Sequence, residues 1–252
     1  MIEVNNLTYT AGGAEILHDV SLRIPRGGIT ALIGPNGAGK SSLLHCIAGL
    51  NRPVSGRVQI EGMDPFTAAD RERARQVSLL QQTATVVSRL RVGELVAFGR
   101  WPHHGGRPGA EDRRITGEAL AAFELETLAD RPLDTLSGGQ RQRAMVAMAY
   151  AQATPWMLLD EPLNALDPRH ARDLMARLHD MSRGPNGRSV VVVLHDINAS
   201  AFWADRVVAM KDGRVLANGA HDEVISAGTL ANVYDMAFDI LDHGGRKLVV
   251  AR

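Results

Sequence analysis

One cysteine, Cys46, stands among 252 residues, so no intrachain disulfide can staple the fold, and the chain suits a reducing compartment. On the apolar face of a helix that thiol reads as core. Excess charge of either sign is also missing: 28 Lys and Arg balance 28 Asp and Glu, which leaves no strong electrostatic attraction to nucleic acid or anionic lipid. A DNA-binding role is thereby disfavoured. No hydrophobic run approaches the ~20 residues of a membrane span, and Met1-Ile2-Glu3-Val4-Asn5-Asn6 has no basic region leading into an apolar stretch. The expectation is a soluble, cytoplasmic chain. Repeats, low-complexity segments and disordered linkers are absent as well, and the length suits one large domain or two closely packed lobes.

What is present begins with Gly34-Pro35-Asn36-Gly37-Ala38-Gly39-Lys40-Ser41, followed by Ser42, a match to the nucleotide-binding loop G-x-x-x-x-G-K-[ST] at every fixed position. Glycines let the backbone wrap with its N–H groups inward. Lys40 adds a point charge and Ser41 a hydroxyl for Mg²⁺. Ile29-Thr30-Ala31-Leu32-Ile33 before the loop reads as a buried parallel strand, and residues 41–48 after it read as helix. Phosphates are therefore expected at a helix N-terminus, where free N–H groups and the helix dipole favour anions. Such a loop alone does not separate kinases, GTPases, helicases and transport ATPases.

Residues 2–25 read as short strand pieces of an antiparallel edge layer, and Arg57-Val58-Gln59-Ile60 adds another strand. A charged helix start from Arg71 gives way to the strand Val77-Ser78-Leu79-Leu80, with Gln81 and Gln82 after it. Between residues 86 and 152 helix signals take over, at 92–98, 115–128 and 141–150. Within that stretch Pro102-His103-His104-Gly105-Gly106-Arg107-Pro108-Gly109 is expected to be an irregular loop with solvent-exposed histidines, and no further ligands stand at metal spacing. Buried parallel strands return at 156–159 and 189–194, separated by a helix at 169–181. A hairpin turns through Asp212-Gly213, and the tail holds a small helix and a last strand at 247–250.

Leu136-Ser137-Gly138-Gly139-Gln140 opens the helix at 141–150, with Ser137 placed as N-cap and two glycines that let backbone approach a ligand. Alone it is a capped helix start. Asp160 and Glu161 end the apolar run Met157-Leu158-Leu159, a pattern that alone describes a solvated strand end. His195 follows Val190-Val191-Val192-Val193-Leu194, where a lone histidine is usually structural.

Taken together, the P-loop and the 136–140 pentapeptide resemble the ATP-binding cassette (ABC) family, the ATPase subunits of ABC transporters, over essentially the whole chain. The resemblance implies an α/β fold: a P-loop NTPase (RecA-like) core from 1–85 and 153–252 with an antiparallel β layer, and an inserted α-helical subdomain at 86–152. It implies ATP and Mg²⁺ as cofactors and a head-to-tail homodimer, in which Ser137, Gly138, Gly139 and Gln140 close on ATP held by the partner's loop. Asp160 then joins Ser41 at the Mg²⁺ shell, and Glu161 polarises the attacking water. Gln81 matches the glutamine that reaches Mg²⁺ or the water, Asp167 of Leu163-Asn164-Ala165-Leu166-Asp167 stands near the dimer interface, and His195 matches the γ-phosphate histidine. Ala11 occupies the place of the ring that normally stacks on adenine. Tyr9, two residues earlier on the same strand face, is the substitute, with simple packing its rival reading.

One cassette without a membrane span implies separate integral-membrane permease subunits, and a solute-binding protein beyond them. Phe98-Gly99-Arg100-Trp101-Pro102-His103, Asp160-Glu161-Pro162-Leu163-Asn164, Leu194-His195-Asp196-Ile197-Asn198 and Val233-Tyr234-Asp235-Met236 resemble the ATPases of iron-siderophore importers, a pattern that haem and cobalamin importers share. Non-transport cassettes of DNA repair, chromosomes or ribosomes carry coiled-coil or zinc insertions or paired cassettes, which this chain lacks. A small-molecule P-loop kinase leaves residues 136–140 and His195 without a role.

Overall fold

The computed structural model describes residues 1–81, 90–184 and 187–252. Strands β1 (Ile2–Ala11) and β2 (Ala14–Ile24) lead into β3 (Ile29–Ile33) and helix α1 (Lys40–Ile47), after which β4 (Ser55–Ile60) returns beside β1. Helix α2 (Asp70–Gln76) and β5 (Val77–Leu80) follow. Helices α3 (Val92–Phe98), α4 (Trp101–His104), α5 (Ala110–Ala122) and α6 (Gly138–Ala151) come next, and then β6 (Trp156–Asp160), α7 (Pro168–Met181), β7 (Ser189–Val193) and α8 (Ile197–Trp203). The chain closes with β8 (Arg206–Lys211), β9 (Arg214–Ala220), α9 (His221–Val224), α10 (Ala227–Tyr234), β10 (Phe238–Asp242) and β11 (Lys247–Ala251).

The central sheet runs β5-β6-β7-β3-β8-β9, parallel except for β9. Its strands are apolar throughout because both faces are covered. On one face Ile29, Ala31 and Ile33 of β3 and Val190 and Val192 of β7 meet the helices; on the other, Leu32, Val191 and Val193 meet α1 and the β layer. That layer is the antiparallel sheet β2-β1-β4. Helices α3, α5 and α6 pack on one another as a helical subdomain. Among the described residues no helix is long and apolar enough to cross a membrane.

Most elements fall where the pattern puts them, with five differences. The strand pieces of residues 2–25 are two long strands, since β1 carries irregular register shifts that break its alternation. Trp101–His104 is one helical turn rather than irregular loop, because Pro102 sits in the first turn, where its missing N–H costs nothing. His103 and His104 are half-buried rather than exposed, with His103 Nε2 lying 2.8 Å from the Gln152 carbonyl. Helix α5 starts five residues before the expected 115, at Ala110, where Asp112 accepts the Gly109 N–H, and it stops at Ala122, with Glu124 at φ 54°. The tail holds two helices and a hairpin, β10 with β11, rather than one of each.

Candidate nucleotide site

The loop leaves β3 between β7 and β8, at the C-terminal edge of the parallel strands, where ligands of open α/β sheets collect. At its first residue, Gly34, φ is 147° and a Cβ would lie 2.1 Å from the Met210 carbonyl oxygen, so only glycine lets the loop run against β8. Lys40 begins α1. Its Nζ donates to the Gly34 and Pro35 carbonyls at 2.8 and 2.9 Å, which ties the helix start back to the head of the loop. Burial pulls the Lys40 ammonium below its ordinary pKa, opposed by the nearby Glu161 and Asp160 carboxylates.

Three strand ends meet there. Leu32 and Asp160 both pair with Val193, so Glu161, after β6, and His195, after β7, emerge beside the loop. The Ser41 hydroxyl donates to Asp160 Oδ1 at 2.8 Å. Asp160 Oδ2 is buried without an aligned hydrogen bond, 3.2 Å from His45 Nε2. Glu161 Oε1 lies 2.6 Å from His195 Nε2, and Glu161 Oε2 accepts from Asn164 Nδ2 at 2.5 Å. A cavity of about 740 Å³ opens over these groups, lined by Ile16, residues 36–42, Glu161 and His195.

The chemistry of the donors fits both expected cofactors. A wrapped loop ending at a helix N-terminus suits polyphosphate. A hydroxyl beside a buried carboxylate is a hard-oxygen donor set that suits a hard cation such as Mg²⁺.

The other sequence-named residues sit differently. Gln81 follows Leu80, which pairs with Leu159, so it stands level with Asp160 on the next strand. Gln82 lies outside the described residues. Tyr9 is not in the cavity wall; it packs half-buried against the β-layer core, while Ile16 of β2 supplies the apolar wall. That placement favours packing, the rival reading, over adenine stacking at residue 9.

Ser137 caps α6 by accepting from the Gln140 N–H at 3.3 Å, and Gln140 Oε1 accepts from the Ser137 N–H at 3.1 Å, a reciprocal capping box. None of residues 137–140 lines the cavity of its own chain. Gly138 and Gly139 instead lie against Ala165 and Leu166, and Gln142 Nε2 donates to the Pro162 carbonyl at 3.1 Å. Asp167 caps α7, accepting from the His170 N–H at 2.9 Å and from its ring at 2.7 Å, bonds that hold the Asp167 carboxyl below the usual range. Ile16, His45 and Gln142 had no part in the sequence reading, yet His45 was within reach of it. It stands four residues after Ser41, one helical turn on the same face.

The ABC transporter family matches residues 17–164. The petrobactin import ATP-binding protein of Bacillus subtilis (strain 168) is 40% identical over 95% of both chains. The ferric enterobactin transport ATP-binding protein of Escherichia coli (strain K12) is 40% identical over 97% of this chain and 91% of its own. The hemin import ATP-binding protein of Bordetella pertussis is 37% identical over 100% of this chain and 99% of its own. A bacterial ABC transporter cassette solved as a dimer superposes with a TM-score of 0.80 at 32% identity, covering 88% of this chain and 99% of that one. With its P-loop, its 136–140 helix start and these relatives in agreement, the chain belongs to the ABC transporter family, as an ATPase subunit.

Proposed function

We propose that this chain hydrolyses ATP to power uptake of an iron-siderophore complex through a separate membrane permease, as a head-to-tail pair at the cytoplasmic face of the membrane. The observation that carries the pairing is that Ser137, Gly138, Gly139 and Gln140 lie outside the cavity of their own chain. They are then free to close on a partner's ATP, as the dimeric relative suggests.

In this reading the N–H groups of residues 36–42 cradle the triphosphate, and Lys40 turns from its own loop carbonyls to phosphate oxygens. Ser41 and Asp160 hold Mg²⁺, which when bound neutralises charge on those oxygens. Glu161 takes the proton of the attacking water, His195 hydrogen-bonds the γ-phosphate, and Gln81 reaches toward the cation or the water. Ile16 offers the base an apolar wall. Asp167 shapes the loop through its cap rather than touching nucleotide.

The permease docks in a groove of about 530 Å³ walled by Ala97, Phe98, Trp101, His104 and Leu120, where Phe98 and Trp101 are about half exposed. A solute-binding protein delivers the cargo from outside. The petrobactin and enterobactin relatives support siderophore cargo; the hemin relative, matched over 99% of its length, favours haem as the second reading.

Capture of this chain from native membranes tests the assignment. Co-purification of a polytopic permease, with loss of iron-siderophore uptake when the gene is deleted, is the expected result. Loss of haem uptake alone moves the cargo to the second reading, and recovery with nucleic acid or ribosomes overturns the transport role.

A further inference from the structure

Asp160 is 1% exposed, and a buried carboxylate needs a partner on each oxygen. Oδ1 has the Ser41 hydroxyl at 2.8 Å. Lys40 Nζ donates to the Gly34 and Pro35 carbonyls and makes no bond to Oδ2. Oδ2 faces His45 Nε2 at 3.2 Å, and both of these buried atoms lack an aligned hydrogen bond. Two unsatisfied polar atoms at that separation need only a small ring rotation to become donor and acceptor. Ser41 and His45 are four apart on α1, so one helix face presents a hydroxyl to one oxygen and an imidazole to the other.

We propose that His45 is a positioning residue for Mg²⁺ binding: its Nε2–H holds Asp160 Oδ2 and so keeps the carboxylate aimed with Ser41 at the cation. The inference rests on the Mg²⁺-ATP reading above and adds a residue to it. Groups that orient a metal-binding carboxylate typically matter by 10- to 100-fold in metal affinity. By linkage, loss of His45 weakens nucleotide binding only when the cation is present.

The test measures binding of a non-hydrolysable β,γ-imido ATP analogue to the full chain, once in EDTA and once in excess Mg²⁺. His45→Ala is expected to weaken binding about tenfold or more in Mg²⁺ and to leave binding in EDTA unchanged. His45→Gln, which keeps an N–H within reach, is expected to recover most of that loss. If the alanine chain fails to fold, His45→Leu, which keeps the volume without the donor, replaces it. A folded His45→Ala or His45→Leu chain with unaltered affinity in Mg²⁺ overturns the proposal, as does equal weakening in both conditions, the mark of a packing role. A wild-type chain whose affinity ignores Mg²⁺ overturns the cation reading itself, and the proposal with it.

Discussion

Asn164 donates Nδ2–H to Glu161 Oε2 at 2.5 Å while His195 Nε2 stands 2.6 Å from Oε1, so both oxygens of one carboxylate are engaged within a single chain. The loop carrying Asn164 is held in turn by Gln142 through the Pro162 carbonyl. The start of α6 is thus tied to the proposed base in its own chain, in addition to any contact it makes with a partner.

Glu161→Gln is expected to keep the shape of this cluster and to retain ATP binding, while turnover falls on the order of 10²- to 10⁴-fold, the usual worth of a general base. Asn164→Ala leaves the carboxylate chemically intact but loosely aimed, so kcat should fall about tenfold with KM unchanged. Steady-state ATPase kinetics with a separate ATP-binding measurement check both. Unchanged turnover in Glu161→Gln would remove Glu161 from the role of base.

The P-loop makes a graded test of backbone geometry. A Cβ at Gly34 would meet the Met210 carbonyl oxygen at 2.1 Å, whereas one at Gly37, with φ 80°, would meet nothing within 4 Å. Gly37→Ala should cost only the left-handed backbone penalty, about 1 to 2 kcal/mol. Gly34→Ala should cost more, because β8 must shift as well. Urea unfolding of the two variants gives the order, and equal losses would mean that the loop does not bear on β8 as described.

Much of this site was legible in the sequence because its parts are local. Lys40 and Ser41 open a helix after an unbroken apolar strand, and Asp160 and Glu161 end another. Ile16 was not legible, since a residue on β2 reaches the cavity only when the β layer folds over α1. The turn at Trp101–His104 was hidden for the opposite reason. Its glycines and prolines read as punctuation, yet Pro102 falls where a helix accepts it, and Arg71 of α2 donates to the Pro102 and His103 carbonyls, 31 and 32 residues further along the chain.

Ser137 carries two separable duties, the cap of α6 and the proposed contact with a partner's phosphate. Ser137→Ala should cost about 1 kcal/mol of stability through the lost cap. Ser137→Asp keeps a capping oxygen and suits the helix dipole, so its melting temperature should stay near that of wild type. It also sets a negative charge where the reading places a γ-phosphate, so its ATPase activity should collapse. A stable, fully active Ser137→Asp chain would leave Ser137 with the cap alone.

Alkaline pH probes the core beneath the site. Burial pushes the Cys46 thiol up from 9.0 to about 12, and Tyr234 up from 10.0 to about 12. Above pH 9 the unfolded chain loses the thiol proton while the folded chain keeps it, so the unfolded state binds fewer protons and stability falls as pH rises. The Cys46 contribution is whole below pH 9 and is lost toward pH 12, at about 1.4 kcal/mol per unit. Tyr234 adds the same sign of slope above pH 10. Urea unfolding between pH 8 and 10.5 should show this fall, and Cys46→Ala should flatten it between 9 and 10, where Tyr234 does not yet contribute. An equally steep fall in Cys46→Ala would place the cause elsewhere. In the wild-type chain at pH 8 the same burial should keep Cys46 unreactive toward a thiol reagent until the chain unfolds.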